Sequence, residues 1–270
     1  MSIEAEGVTL WQELTTGELG RMADSDPVAV LPLAAVEQHG PHLPLATDGI
    51  IGAGLLDGAL QELAGEEPVL VLPTQAVGTS PEHAAFPGTL SLEPGTLDRV
   101  LRELGASLAR AGIRRLVVSN SHGGNRSVVD TAALALRRER GMLVVKAHYF
   151  RFPRPSDVEL PEREWTHGLH GGAVETAMML HLRPDLVRRE AISSFPSLGE
   201  ELASSLTRVA PEGEAAFAWT AEDLSPEGVV GDATLADAAM GGRLVRHYAS
   251  CLADVIGDAR RFPLDRLQGL

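Results

Sequence analysis

Four side chains able to bind a metal lie close together in this sequence, at Glu37, His39, His42 and Asp48. They follow an apolar run at residues 28–33 that is typical of a buried strand. Carboxylate oxygens and imidazole nitrogens crowded at a strand end suit zinc, manganese or iron. Positions 37 and 39 of an extended segment point the same way, because side chains alternate along a strand. The pattern predicts a metal-dependent hydrolase.

Each of these residues also has a purely structural interpretation. Asp48 suits the cap position of the next helix, and Glu37 and His39 could be solvated loop residues. Because the residues occur together at a strand end, we prefer the metal site. His42 is interpreted as a brace of the loop, since prolines lie close to it on both sides.

A second candidate segment contains one possible ligand, His122. It lies in a glycine-rich turn where Gly123 and Gly124 allow the backbone to bend sharply and to approach a ligand closely. A phosphate-binding glycine loop is the alternative, but the turn lacks the lysine and the spacing of a P-loop. His122 is therefore predicted to bind a metal.

Glu175 and His170 form the third candidate group. Glu175 lies roughly one and a half helical turns after His170, among apolar neighbours. A partly buried carboxylate needs a partner, which a metal would supply, and a solvent-facing glutamate is the alternative. His170 is predicted to be a general acid or base, because histidine titrates near neutrality, and a simple loop histidine is the alternative.

Strands and helices alternate along the chain. The predicted strands cover residues 28–33, 69–72, 115–119 and 142–147. The predicted helices cover residues 50–63, 97–111, 128–140, 174–182 and 234–259, and the predicted loops cover 151–164 and 193–231. Pro94 suits a first helical turn, and Gly141 suits a C-cap. This alternation predicts an α/β fold with a mainly parallel sheet covered by helices on both faces.

The position of the candidate residues agrees with that fold. Parallel sheets bind ligands beyond the carboxyl ends of their strands. Glu37 follows the first predicted strand, His122 follows the third and His148 follows the fourth. We therefore expect the candidate groups to meet at one edge of the sheet.

Composition limits the possible partners. The chain has 270 residues, 44% hydrophobic, and a net charge of −14, which argues against nucleic acid and anionic membranes as partners. Cys251 is the only cysteine, so an intrachain disulfide is impossible. No apolar stretch reaches the roughly 20 residues of a membrane span, and the N-terminus does not resemble a signal peptide. We expect one domain over residues 1–270 in a cytoplasmic protein.

Several segments resemble the creatininase (creatinine amidohydrolase) family in their residues and in their order. The matching positions are Glu37–Pro44, Asp48, Phe86–Thr89, Asn120–Asn125 and His170–Thr176. The resemblance implies a three-layer α/β/α fold, a two-metal site, and hydrolysis of C–N bonds in cyclic or related amides rather than in ordinary peptide bonds. It also implies a small-molecule amide substrate and a homo-oligomer such as a hexamer.

The resemblance also implies residue roles. Glu37, Asp48 and His122 would hold one divalent ion, and His39 and Asp48 would hold the other, with Asp48 bridging. A water between the two ions would be the nucleophile. The residues predicted to line the substrate pocket are Ser121, Gly123, Phe150 and His83.

One departure from the family pattern changes the expected substrate. Creatininases carry a tyrosine and a metal-binding glutamate where Gly123 and Gly124 stand here, so we infer that Glu175 replaces the lost ligand and could also serve in catalysis. Phe150 stands where creatininases place tryptophan. The pattern is more similar to family branches that act on formamidopyrimidine nucleotides or on the mycofactocin precursor peptide. A peptidase and a non-catalytic metal- or ligand-binding relative are the alternatives.

Overall fold

Three neighbouring strands end side by side in this protein, as shown by a computed structural model that describes residues 7–65 and 68–267. The main sheet of these residues is parallel, with strand order β1-β3-β2-β4-β5. Its strands are β1 Val8–Leu10, β2 Val28–Leu33, β3 Val69–Val71, β4 Arg115–Asn120 and β5 Leu143–His148. The register pairs Leu33 with Asn120, and Asn120 with His148. The segments that follow β2, β4 and β5 therefore leave the sheet at one edge.

Strand β2 lies in the middle of the sheet, and all six of its residues are buried. Its side chains alternate between two apolar clusters: Leu31 packs into one, and Val30 into the other. Pro32 is tolerated although it has no N–H, because β3 ends at Val71 while β2 continues. The sheet is thus buried on both faces, as parallel sheets require.

Helices cover both faces. The longer ones are α2 Thr47–Glu62, α3 Pro94–Arg110, α4 Arg126–Arg140, α6 Ala173–Leu182 and α9 Ala238–Arg261. The shorter ones are α1 Thr16–Ala23, α5 Glu162–His167, α7 Leu198–Leu202 and α8 Ala221–Leu224. Helices α3 and α4 pack on one face, and α2 and α9 pack on the other with α6 against them. This arrangement confirms the predicted three-layer α/β/α fold.

Two local signals in the sequence are confirmed. Pro94 is the first residue of α3, where its missing N–H costs no helical hydrogen bond. Gly141 caps α4 in the left-handed conformation, with φ of 67°.

Close contact between α6 and α9 fixes the helix that carries Glu175. A Cβ atom added to Gly241 of α9 would lie 1.9 Å from the carbonyl oxygen of Ala177 in α6. Glycine is therefore needed at this position for the two helices to touch.

The structure differs from the sequence prediction outside the central elements. The edge strand β1 was not predicted, because three half-buried residues carry little periodicity. Helix α9 begins at Ala238 rather than at residue 234, because the Asp237 side chain accepts the Met240 N–H at 2.7 Å and caps it there. Helix α2 begins at Thr47, three residues before the predicted start.

Both predicted loops contain regular structure. Helix α5 begins at Glu162, inside the predicted loop 151–164. The predicted loop 193–231 holds α7, α8 and three short strands, which are β6 Ser194–Phe195, β7 Val209–Ala210 and β8 Ala215–Ala216. A fourth short strand, β9 Gly231–Asp232, begins at its last residue. Among residues 7–65 and 68–267, no helix combines the length and the apolar character needed to cross a bilayer.

Candidate metal centre

The segment after β2 buries Glu37 and His39 together. The His39 Nδ1 donates to the Glu37 backbone carbonyl at 3.1 Å, because a carbonyl oxygen can only accept. That bond leaves His39 Nε2 as the atom that faces the site, 3.5 Å from Asp48 Oδ1 and 3.9 Å from Glu175 Oε2. His39 therefore presents an unprotonated nitrogen in its neutral form, as a metal ligand must.

His122 enters the same cluster from the turn after β4. Its Nε2 donates to the backbone carbonyl of Thr79 at 2.9 Å. Its Nδ1 lies 3.2 Å from Glu37 Oε1 and 3.4 Å from Asp48 Oδ2. Metal-binding histidines usually hold their second nitrogen in this way, on a carbonyl or a carboxylate.

Asp48 lies between the two histidines. It is the second residue of α2, and Ala46 occupies the cap position, so the interpretation of Asp48 as an N-cap is wrong. Its side chain is buried, with Oδ1 facing His39 and Oδ2 facing His122. Each oxygen of this one carboxylate thus faces a different histidine.

Glu175 completes the cluster from the first turn of α6. Its side chain is 16% exposed, so it does not point freely into solvent. Its Oε2 accepts the Gly171 N–H at 2.7 Å, and the Tyr149 hydroxyl donates to its Oε1 at 3.4 Å. These bonds hold the carboxylate beside His39.

The donor atoms fall into three sets, in each of which they lie within 4.8 Å of one another. The sets are Glu37, Asp48 and His122; His39, Asp48 and Glu175; and Glu37, His39 and His170. Among the described residues, Glu37 Oε2, His39 Nε2 and Asp48 Oδ2 are buried without a hydrogen-bond partner. Because a buried polar atom without a partner costs free energy, these three atoms fit a metal ion as their partner.

The charges in the cluster also favour a cation. Burial alone would lower the pKa of His39, but Asp48, Glu175 and Glu37 raise this pKa to about 9. Glu37 and Asp48 likewise hold the pKa of His122 well above its usual value, against the opposing effect of burial. The carboxylates thus stabilise positive charge at these two histidines. They would stabilise a divalent cation in the same way, in place of the protons.

A family model described as creatininase, or creatinine amidohydrolase, matches residues 12–256. The chain belongs to the creatininase family. The mycofactocin precursor peptide peptidase of Mycolicibacterium smegmatis is 32% identical over 242 residues, which cover 89% of this chain and 87% of that protein. The enzyme of the same name from Mycobacterium ulcerans is 30% identical over 262 residues, covering 93% and 91%.

Solved creatininase structures share the fold. A crystal structure of creatinine amidohydrolase superposes with a TM-score of 0.75 and 27% identity, covering 94% of this chain and 98% of that one. A manganese form of creatininase and a zinc–zinc form of a creatininase mutant give TM-scores of 0.74 and 0.75, with 27% and 26% identity and the same coverage. The chain is thus a hydrolase-family protein with a cluster of residues that could hold metal.

Two further histidines of this creatininase-family site are buried and stacked on each other. His170 Nε2 donates to the Gln38 carbonyl at 2.7 Å, and its Nδ1 lies 3.7 Å from Glu37 Oε1. The His83 ring lies 4.3 Å from the His170 ring, centroid to centroid. Burial, followed by the charge of His39, lowers the pKa of His170, and burial with His170 lowers the pKa of His83 to about 3. Both rings are therefore neutral near pH 7.

The four residues predicted to line the substrate pocket all lie outside the three ligand sets of the described chain. The Ser121 hydroxyl donates to the Leu33 carbonyl at 3.3 Å and packs against α2. Gly123 is exposed, with no atom within 4 Å of an added Cβ. The ring of Phe150 stacks on His148, 5.7 Å between centroids. Of the four predicted residues, His83 is the one in contact with the cluster.

His42 braces the loop, as interpreted from the sequence. Its ring is buried, and Nε2 lies 2.9 Å from Thr176 Oγ1 and 3.1 Å from the Gly171 carbonyl oxygen. It thereby links the first motif to the start of α6.

The residues around the cluster that were not predicted from the sequence include Gln38, Tyr149 and Glu82. Tyr149 directly follows β5, so the strand-end rule that selected His148 would also have found it. Gln38 lies between two candidate ligands and contacts His83. Glu82 Oε1 lies 3.7 Å from His122 Nε2 and comes from a short turn with no signal of its own.

Glu175, the residue inferred to replace the ligand lost at Gly124, lies beside His39. Glu175 joins His39 and Asp48 in one ligand set. The space beside Gly124 is taken by another carboxylate, since a Cβ atom there would lie 2.4 Å from Glu82 Oε1.

Proposed function

We propose that this protein is a hydrolase that holds two divalent metal ions, zinc, manganese or iron, and cleaves the C–N bond of an amide. The observation that carries the proposal is Asp48, whose two oxygens face His39 and His122. Glu37 would complete the ligands on the His122 side, and Glu175 those on the His39 side. A carboxylate shared by two ligand sets is the donor arrangement of a two-metal site.

When bound, the two ions would lower the pKa of a water molecule and stabilise the negative charge that develops on the amide oxygen. His170 is placed to move the protons. Its Nε2 proton is held by the Gln38 carbonyl, so its free Nδ1 faces the Glu37 side of the centre. A neutral imidazole in this position can accept a proton from the attacking water and deliver it to the leaving nitrogen.

Glu175 is less suited to proton transfer than His170. Its Oε2 accepts the Gly171 N–H, and its Oε1 accepts from Tyr149. Both oxygens of Glu175 thus already accept hydrogen bonds from neighbouring groups. We therefore assign Glu175 to the metal and His170 to the protons.

A peptide amide is the substrate that the relatives favour, because both are named mycofactocin precursor peptide peptidases. A cyclic amide or a formamide is the second candidate, favoured by the likeness to creatinine amidohydrolase.

Metal content tests the first part of the proposal. The purified protein, reconstituted with zinc and desalted, should carry about two ions per chain by elemental analysis. Glu175→Gln should lower the content to about one, and Asp48→Asn should lower it further, because Asp48 belongs to both sets. Asp98→Asn, a change at a partly exposed carboxylate on α3, is the matched control. Equal metal content in all four proteins would refute the two-metal assignment.

Turnover tests the second part. The zinc- and manganese-loaded proteins are assayed with short peptides, cyclic amides and formamides, and the released amine is quantified. Cleavage of peptides alone supports the peptidase. Cleavage of small cyclic amides or formamides alone supports the second candidate. Turnover that Glu37→Gln retains would exclude this site as the reaction centre.

A further inference from the structure

Gln38 lies between the candidate ligands Glu37 and His39 in the sequence. It contacts both of the stacked histidines, His83 and His170. Its backbone carbonyl accepts the Nε2 proton of His170 at 2.7 Å. Its side-chain nitrogen lies 2.8 Å from His83 Nδ1. Gln38, His83 and His170 are all buried, so water does not compete for these bonds.

The orientation of the Gln38 amide follows from its other two partners. The Gly40 N–H points at Oε1 at 2.9 Å, and the Gly228 carbonyl oxygen lies 2.6 Å from Nε2. A flipped amide would set oxygen against the Gly228 carbonyl and NH₂ against the Gly40 N–H, two repulsive contacts. The NH₂ group therefore faces His83.

This orientation decides where His83 carries its proton. An NH₂ group can only donate, so His83 Nδ1 must be the unprotonated, accepting nitrogen. A neutral imidazole then has its proton on Nε2. That nitrogen points to the centre, 3.5 Å from Glu37 Oε1.

His170 has the opposite polarity. Its Nε2–H donates to the Gln38 carbonyl, so in the neutral ring Nδ1, which faces the same oxygen of Glu37, is unprotonated. The two rings thus present one N–H and one lone pair to a single point at the edge of the candidate centre.

We propose that Gln38 is a positioning residue that sets complementary tautomers on His83 and His170. His83 is then a fixed hydrogen-bond donor for an acceptor oxygen of the amide substrate, and His170 is a fixed acceptor for the proton in transfer. The assignment to substrate rests on the proposed hydrolase function, whereas the tautomers themselves do not.

Gly228 supports the same arrangement. Its φ is 73°, and a Cβ atom there would lie 2.8 Å from both Nε2 and Oε1 of Gln38. Any larger residue would push the amide away from His83. The segment before β9 is therefore shaped to hold this amide.

The test is nitrogen-15 solid-state NMR of histidine-labelled, zinc-loaded protein, since zinc is diamagnetic and solid samples tolerate large assemblies. His83→Asn identifies the His83 signals by their loss. In the wild type, His83 should show a protonated Nε2 and an unprotonated Nδ1. In Gln38→Glu, whose ionised carboxylate can only accept, the unprotonated Nδ1 signal of His83 should disappear. The matched control is Gln75→Glu, a half-buried glutamine that donates to the Val77 carbonyl, and it should leave His83 unchanged.

Two results would overturn the proposal. One is a wild-type His83 with its proton on Nδ1 or on both nitrogens, which needs no variant to fold. The other is an unchanged His83 spectrum in folded Gln38→Glu. Elemental analysis of the same samples tests the two-metal proposal separately. A protein without metal can still show the predicted tautomers, so a low metal content would not by itself refute the role of Gln38.

Discussion

A buried carboxylate on α5 anchors the helix that carries Glu175, and removing its charge should weaken both the fold and the site. Glu164 is 3% exposed. Its Oε1 accepts the N–H of Ala173 at the start of α6, and its Oε2 accepts the N–H of Asp232 in β9, both at 2.7 Å. One carboxylate thus joins three elements through two charge-assisted hydrogen bonds.

Three glycines leave space for this carboxylate. Cβ atoms added to Gly168, Gly172 and Gly231 would lie 2.3, 2.5 and 2.8 Å from Glu164 Oε1. The carboxylate therefore has no room to move to a different set of partners. Replacing Glu164 should therefore remove hydrogen bonds, because the new side chain cannot move to form others.

Glu164→Gln keeps the shape but has one accepting oxygen, so one backbone N–H loses its partner and faces an NH₂ group. An unsatisfied buried donor costs about 1–3 kcal/mol, and the free energy of unfolding should fall by that amount. Urea unfolding followed by circular dichroism measures it. The control is Glu162→Gln on the same helix, 76% exposed and paired with Arg154, which should leave the free energy of unfolding nearly unchanged. Equal losses in the two variants would refute the anchoring role.

Two further predictions concern stability. Gly124→Ala should destabilise the protein by about 1–3 kcal/mol in urea, because its Cβ would meet the Thr79 carbonyl oxygen and His122 Nε2 as well as Glu82. Gly123→Ala, with open space beside it, should be near neutral, and similar costs for the two variants would contradict this packing. Burial lowers the pKa of His42 from 6.5 to about 4, so the unfolded chain binds this proton first as the pH falls. Stability should therefore decrease between pH 6.5 and about 4, by on the order of 3 kcal/mol from this residue, and urea titrations of His42→Asn should show a smaller decrease.

The sheet and most of the cluster were predictable because strong local signals coincide with a general rule. Strands β2, β4 and β5 are apolar runs that end in register. Any polar group just after them must therefore meet at the same edge. This reasoning brought Glu37 and His122 together although 84 positions separate them along the chain.

The contribution of residues 193–231 was not predictable. This segment has short elements and no apolar period, so its course is set by contacts with distant parts of the chain. Two of these contacts belong to the site: the Gly228 carbonyl accepts from Gln38, and the Val230 N–H donates to the His170 carbonyl. Partners that lie so far apart in sequence leave no local pattern.

Gly124 stands where creatininases carry a metal-binding glutamate. This difference changes the residues around the candidate centre more than it changes the set of metal-binding atoms. Glu82 Oε1 lies where a side chain at position 124 would begin, so a carboxylate still stands beside His122. Glu175, from a different helix, supplies the carboxylate that joins His39 and Asp48. We infer that the family's metal chemistry is retained here, with carboxylates supplied by other segments of the chain.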